Sequence, residues 1–512
     1  MSSLWYAILI LIPVIGGLLV MRIPFKSRNA MCIYVEVVTV LTSVLSFALM
    51  LNRPKQALHV LTFVGKFSID FSMDGMGMVF AALISFLWPL ATLYAFDYMK
   101  HEVTENSCRE ATFFAFYVVT FGVTLGIANA GNLLTMYVFY EMLTLVTVPL
   151  IIFSLSREAT LATRTYLYYS LGGAGFGFIT LVFLGNYGDS LDFVRGGILD
   201  YDSVKQLVYV SQSTISGAAS TASANLLRFI YLFGFFGFGV KAAVCPLNSW
   251  LPKAGVAPTP VTALLHAVAV VKSGAFAILR ITYYSFGTEL LKESFAQFVP
   301  MIIVIFTIIY GCSQAVRERH IKRRLAYSTI SNLSYILFGA LIMTPAGLVG
   351  ALSHMLFHGV MKICSFFCAG AVITGTGKEY VYELDGLGKK MPVTFAAFTV
   401  SSFALMGVPG LCGFISKWNL AKAAVLSDQP LAFAGVGALL ISALLTAIYM
   451  LQIVIRAYFP HQGFRPATVE KFHDPGWKML VPFAIFMILM TGFGLFSSPV
   501  TALLTAVAGG GL

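Results

Sequence analysis

The sequence predicts an all-α polytopic membrane protein of about fourteen transmembrane helices. Three observations predict it. The 512 residues are 58% hydrophobic and only 11% charged, against about 25% charged in an ordinary soluble domain. Apolar stretches of about 20 residues recur along the whole chain, the length a helix needs to cross a bilayer. Two of those stretches are interrupted by Pro or Gly, each beside a lysine.

Taken in order, the spans are expected at 4–21, 30–51, 74–96, 111–129, 132–153, 160–185, 226–250, 259–284, 298–316, 325–343, 346–376, 392–426, 431–458 and 479–506. The first has no basic stretch before it and is followed by Arg22, Lys26 and Arg28, so it reads as a span rather than a cleaved signal. Loops after odd-numbered spans carry most of the Lys and Arg, RERHIKRR after the ninth above all. The positive-inside bias then places odd loops in the cytoplasm and both termini on the outer face. The polar stretch 186–225 becomes an external loop. The net charge of +11 is accounted for by topology and gives no case for nucleic acid. The seven cysteines form no CxxC pair, and Cys364 and Cys368 lie CxxxC within a span, so no zinc or iron–sulfur signature is present.

Lysines inside spans are the strongest functional signal. A charge at the bilayer centre costs about 3 kcal/mol on insertion scales. Lys422 is near a span end and can reach the interface by its own length. Lys241, Lys272, Lys362 and Lys417 are read as functional. Lys241 lies in FGVKAAVCPLNSW, where Pro246 disrupts the helix, and Lys417 in GVPGLCGFISKW, where Pro409 and Gly410 do so. These are the seventh and twelfth spans, which cross in opposite directions. An inverted repeat produces that arrangement, and paired helix breaks point to an ion path. The expected organisation is N-terminal helices over 1–110, a first repeat of five helices over 111–286, a second over 298–458, and a C-terminal loop and last helix over 459–512.

Glu141, mid-span in NLLTMYVFYEML, is the expected partner of Lys241, because a nearby cation restores the charge that desolvation would remove. His266 and Lys272 share the eighth span, but six residues of continuous helix place them on different faces. In SHMLFHGVMKIC, His354, His358 and Lys362 recur every four residues and form one narrow stripe. Neighbours are about 6 Å apart along the axis, so waters or other side chains must complete any chain. A proton shuttle suits histidine, and a structural role bonding neighbouring helices is the alternative. A metal is disfavoured: HMLFH lacks the Glu of HExxH, and the lysine would repel the ion.

These residues resemble an antiporter-like subunit of the complex I, membrane-bound hydrogenase and Mrp cation/proton antiporter superfamily. The likeness rests on NLLTMYVFYEMLTL, WLPKAGVAPTPVTALLHAVAVVKSGAF, KRRLAYSTISNLSYILFG, SHMLFHGVMKICSFFCAGAV and GVPGLCGFISKW. It implies a conserved pair at Glu141 and Lys241, a central relay lysine at Lys272, a polar axis at His354, His358 and Lys362, and a lysine on the second broken helix at Lys417. Pro409-Gly410 stands where many relatives have two prolines, and Lys417 where some have glutamate. The chain ends soon after its last span, without the lateral helix of the largest complex I member. It is thereby closest to the hydrogenase-type or Mrp D-type subunit.

The implied function is proton translocation within a redox-driven complex in a prokaryotic cytoplasmic membrane. Other integral-membrane subunits and peripheral redox subunits are the expected partners. Iron–sulfur, nickel–iron or flavin centres are expected only in those partners, and no cofactor in this chain. Three alternatives remain: an Mrp-type Na⁺/H⁺ antiporter subunit without a redox partner, a membrane partner of an inorganic-carbon accumulation complex, and a passive assembly scaffold.

Overall fold

The computed structural model describes residues 2–102, 107–210, 221–461 and 471–510. They form a helical protein with two small sheets. The first part comprises α1 (Leu4–Val20), α2 (Arg28–Leu51), a hairpin of β1 (Leu58–Val64) and β2 (Phe67–Phe71), α3 (Gly75–Glu102), α4 (Ser107–Ala128), α5 (Leu133–Ile151) and α6 (Arg157–Tyr187). A three-stranded sheet of β3 (Asp200–Asp202), β4 (Leu207–Tyr209) and β5 (Thr221–Ser223) follows. Next come α7 (Ala224–Gly239), α8 (Trp250–Ala254), α9 (Thr259–Ala267), α10 (Val270–Arg280) and α11 (Thr288–Leu291). The last part holds α12 (Phe295–Arg317), α13 (Ile321–Leu341), α14 (Pro345–Thr376), α15 (Pro392–Met406), α16 (Cys412–Leu426), α17 (Pro430–Tyr458), α18 (Trp477–Leu495) and α19 (Ser498–Gly509). Among the described residues ten helical segments are long and apolar enough to cross a membrane.

The connections sort into two sets that touch only within themselves in the contacts that follow. On one face, Arg28 pairs with Glu110, Arg109 donates to the Phe153 carbonyl, Lys322 to the Ala257 carbonyl, and Arg456 pairs with Asp385. On the other, Gly131 N–H donates to Asp70 O, Lys66 to the Gly188 carbonyl, Arg228 to the Leu290 carbonyl, and Tyr283 to the Thr344 carbonyl. The first set follows odd-numbered spans of the sequence and the second even-numbered ones. Alternation of this kind is what helices crossing one slab produce.

Local chemistry sets the helix ends. Asn132 and Ser156 accept from Thr135 N–H and Ala159 N–H, capping α5 and α6. Thr344 caps α14 ahead of Pro345, and Gly377 at φ +71° closes it.

Two spans differ from the sequence expectation. The eighth span is not one continuous helix. α9 stops at Ala267 and α10 starts at Val270, although no Pro or Gly lies there. Leu264 O accepts from both Val268 N–H at 3.1 Å and Ala269 N–H at 2.8 Å, so the turn carries an extra residue. The rotation between His266 and Lys272 inferred from a continuous helix therefore does not apply. The same segment ends in a π-helical turn, Ile281–Ser285. The final span is two helices, α18 and α19, because Pro499 cannot continue a helix through Ser497. Arg195 donates to the Ala508 carbonyl, which brings the end of α19 beside the 188–210 segment. Of the loop expected over 186–225, residues 211–220 lie outside the described residues.

α13 is buried along almost its whole length, yet it carries Ser328, Ser331, Asn332, Ser334 and Tyr335. It is packed against α8, α9, α10, α12, α14, α16 and α17, so its polar groups face protein rather than lipid. Arg280 is also buried. Nη1 and Nη2 each lie 2.5 Å from an Asp74 oxygen, and the guanidinium carbon sits 4.6 Å from the Phe193 ring centroid. This pair ties α10 to the start of α3. Asp74→Ala leaves Arg280, 1% exposed, without its counter-charge, at a cost of roughly 3–5 kcal/mol. The melting temperature of the purified protein in its complex should fall clearly below wild type; an unchanged value removes this anchor from the account.

Candidate functional site

The first cluster is built at the break between α7 and α8. α7 ends at Gly239, and ten residues pass before Trp250 opens α8. Ala243 has φ +55°, Cys245-Pro246 is cis, and the Trp250 indole donates to Val240 O at 2.8 Å, closing the loop on itself. Lys241 is the second residue of this break and is fully buried. It donates to the Tyr140 carbonyl, its Nζ lies 3.3 Å from the Tyr140 ring centroid, and Glu141 Oε1 is 3.7 Å away. The lysine is thus solvated by a carbonyl and a ring face, with a carboxylate in ion-pair range.

α10 packs directly on this break. A Cβ at Gly274 would lie 2.5 Å from Ala242 N and 2.9 Å from Lys241 C, so only glycine allows the approach. Two residues earlier on the same helix, Lys272 is fully buried, and its Nζ lies 3.0 Å from His358 Nδ1 on α14. This hydrogen bond joins the two halves of the chain. His266, on the other side of the α9–α10 break, is equally buried. Among the described residues neither ring nitrogen has a hydrogen-bond partner, and the ring packs 4.9 Å from Phe366.

The stripe on α14 does not act as one row. His354 and His358 stack, with centroids 5.6 Å apart and planes at 20°. Each uses Nδ1 outward, His358 toward Lys272 and His354 toward Ser416 Oγ at 2.9 Å. The Nε2 atom of each has no hydrogen-bond partner among the described residues. Lys362 turns elsewhere and donates to Ser328 Oγ on α13 at 2.8 Å.

The second break, between α15 and α16, mirrors the first in content. Gly407 at φ +92° ends α15, Pro409 and Gly410 fill the gap, and α16 opens at Cys412. Lys417 on α16 reaches back across the gap. Its Nζ donates to Leu405 O at 2.7 Å and Met406 O at 3.0 Å, and lies 5.5 Å from the Tyr335 ring centroid. Those carbonyls are helix-terminal groups left free when α15 stops, and a cation there is also favoured by the helix dipole. Lys422 is exposed on the outer side of α16.

The sequence-named residues therefore fall into four sets: Glu141 with Lys241; Lys272 with His358 and His354; Lys362 by Ser328; and Lys417 at its break. His266 stands apart. Sequence reasoning missed Tyr140, Ser328, Tyr335 and Ser416. Weak signals existed: Tyr140 and Ser416 immediately precede Glu141 and Lys417, and YSTISNLSY is unusually polar for a span. Among the described residues no group of three or more His, Cys, Asp or Glu is placed to hold a metal.

Comparison with known proteins identifies the family. Residues 130–446 match the family described as NADH:quinone oxidoreductase/Mrp antiporter, TM. Subunit N of the NADH-quinone oxidoreductase of Desulforudis audaxviator (strain MP104C) is 28% identical over 84% of this chain and 83% of its own length. Chain 4 of the NAD(P)H-quinone oxidoreductase of Prochlorococcus marinus (strain NATL1A) is 28% identical over 97% of this chain and 89% of its own. Among solved structures, a chain of the archaeal membrane-bound sulfane sulfur reductase superposes with a TM-score of 0.81, at 20% identity, over 99% of this chain and 98% of that one. A chain of the Mrp complex from Dietzia sp. DQ12-45-1b also gives 0.81, at 19% identity, over 99% and 97%. The matched family covers both helix breaks, the buried lysines and the histidine pair, and the chain belongs to the NADH:quinone oxidoreductase/Mrp antiporter family of transmembrane proteins.

Proposed function

We propose that this chain translocates protons as the antiporter-like subunit of a multi-subunit, redox-driven complex in a prokaryotic cytoplasmic membrane. The observation that carries the reading is the Lys272–His358 contact at 3.0 Å. It places an amine and an imidazole, both fully buried, in donor–acceptor geometry between the two halves of the molecule. One shared proton satisfies both groups, whereas two charges would repel.

The steps follow from switched electrostatics. Glu141 and Lys241 form the input pair. Because α10 rests on the Lys241 break through Gly274, a movement of Lys241 away from Glu141 reaches Lys272 directly. A free Lys241 cation lowers the proton affinity of Lys272 by like-charge repulsion. The proton passes to His358, across the stacked pair to His354, and through Ser416 toward Lys417. The step between the histidines needs a water or a ring rotation, since the two Nε2 atoms have no partner. His266 lines the same interior from α9, and Lys362 sets the local charge.

The same reading takes the helices as about fourteen crossings, with residues 111–286 and 298–458 as inverted five-helix repeats. The opposite directions of α7 and α15, each ending at a break with a lysine, support it. Partner subunits are inferred from the relatives, which are named as parts of quinone oxidoreductase, sulfane sulfur reductase and Mrp complexes. Peripheral partners would hold the iron–sulfur, nickel–iron or flavin centres. A second reading, Na⁺/H⁺ exchange without redox partners, is favoured by the equal superposition on the Mrp chain. Identification of the co-purifying subunits separates the two.

In proteoliposomes holding the intact complex, Lys272→Ala or Lys417→Ala should abolish proton flux while the complex still assembles. Full flux in both variants overturns the scheme. For topology, Val204→Cys, at a site 91% exposed, should react with a membrane-impermeant maleimide on whole cells. Tyr382→Cys, at a site 51% exposed on the other face, should react only after permeabilisation. The reverse pattern inverts the assigned orientation.

A further inference from the structure

Lys362 leaves the histidine stripe for a run of buried hydroxyls that the scheme above does not use. Its ammonium donates to Ser328 Oγ at 2.8 Å, and Tyr449 Oη lies 2.6 Å from that same oxygen. Tyr449 Oη is also 3.2 Å from Thr446 Oγ1. Thr446 Oγ1 lies 3.7 Å from Cys312 Sγ, which lies 2.9 Å from Ser442 Oγ. Ser442 Oγ accepts from Tyr335 Oη at 2.8 Å and meets Ser331 Oγ at 3.0 Å. Every member is at most 1% exposed. The run crosses α13, α17 and α12, and its far end is the tyrosine whose ring lies 5.0 Å from His354 and 5.5 Å from Lys417 Nζ.

Ordinary polar packing between helices needs one or two such bonds, commonly to backbone carbonyls. Here the side chains bond one another in sequence, from a cation at one end to the neighbourhood of a second cation at the other. A hydroxyl can donate and accept at once, and so can a thiol, more weakly. A proton can therefore enter at one end while a different proton leaves at the other, with each group keeping its own count.

We propose that Lys362, Ser328, Tyr449, Thr446, Cys312, Ser442 and Tyr335 form a second proton-relay branch, parallel to the histidine pair and converging with it beside Lys417. The proposal rests on the proton-translocating reading above. Lys362 gives a proton to Ser328, and Ser328 releases its own to Tyr449. The transfer continues through Thr446, Cys312 and Ser442 to Tyr335, whose own hydroxyl proton leaves through an intervening water to Lys417 in its neutral amine form. Three hydroxyls must turn for it: Tyr449 donates to Ser328 Oγ at 2.6 Å, Thr446 to the Ser442 carbonyl at 2.7 Å, and Tyr335 to Ser442 Oγ. The 3.7 Å step at Cys312 is the longest, so the thiol joins two shorter hydroxyl runs.

The test uses the intact complex in proteoliposomes, with a pH-sensitive dye reporting proton flux after a pH jump or on supply of its driving reaction. His354→Leu should leave part of the flux, carried by the hydroxyls. Adding Ser442→Ala or Tyr449→Phe should remove that remainder, and adding Ser442→Cys, which keeps a donor and acceptor, should spare more of it. A purely structural role predicts that the alanine and cysteine variants behave alike. Tyr449→Phe keeps the ring and covers the case in which Ser442→Ala fails to assemble. Complete loss in His354→Leu alone, or a remainder untouched by both hydroxyl removals, overturns the branch. Pumping by Lys417→Ala overturns instead the functional reading on which it rests.

Discussion

The structure depends on one constraint: cations deep in an apolar protein must be solvated by the protein itself. Among the described residues Lys272, Lys362 and Lys417 make no ion pair; their partners are an imidazole, a hydroxyl and two carbonyls. Unpaired buried charge costs several kcal/mol, so each lysine fixes what surrounds it. The helix breaks supply part of that shell. Where α15 stops, the Leu405 and Met406 carbonyls lose their intrahelical donors, and Lys417 takes them. The breaks are thus the means by which a membrane helix offers oxygen to a cation.

The halves differ in one respect that bears on direction. The first break brings its lysine within 3.7 Å of a carboxylate. The second has no carboxylate ion-paired to its lysine among the described residues. The first cluster can therefore redistribute its charge, and so change its local field, by opening or closing an ion pair, and the second only by gaining or losing a proton. A device that senses at one end and releases at the other needs this difference. The glycine contact between α10 and the Lys241 break gives the physical link from the first cluster to the helix that carries Lys272.

Much of this was legible in the sequence, because apolar runs, charges inside them, and Pro or Gly beside those charges are strong local signals. Glu141 with Lys241, and the breaks around Pro246 and Pro409-Gly410, needed only that logic. The α9–α10 break was not legible: HAVAVV carries no helix breaker, and the extra turn residue at Leu264 is imposed by packing. Arg280 was also hidden: it falls within the expected 259–284 span, but nothing in the sequence names its partners, and Asp74 and three aromatic rings enclose it. The i, i+4 spacing of His354, His358 and Lys362 fixed a common face but not the partners. Those lie on three other helices, and only tertiary structure sends Lys362 one way and the histidines another.

The central claim is that Lys272 exchanges a proton with His358 rather than serving as a fixed charge. Lys272→Arg tests it most directly, because arginine keeps the charge and hydrogen-bonding capacity but does not deprotonate in a protein. Proton flux through the intact complex in proteoliposomes should be lost in Lys272→Arg as it is in Lys272→Ala, with assembly preserved. Wild-type flux in the arginine variant would contradict the claim and leave Lys272 as a structural cation.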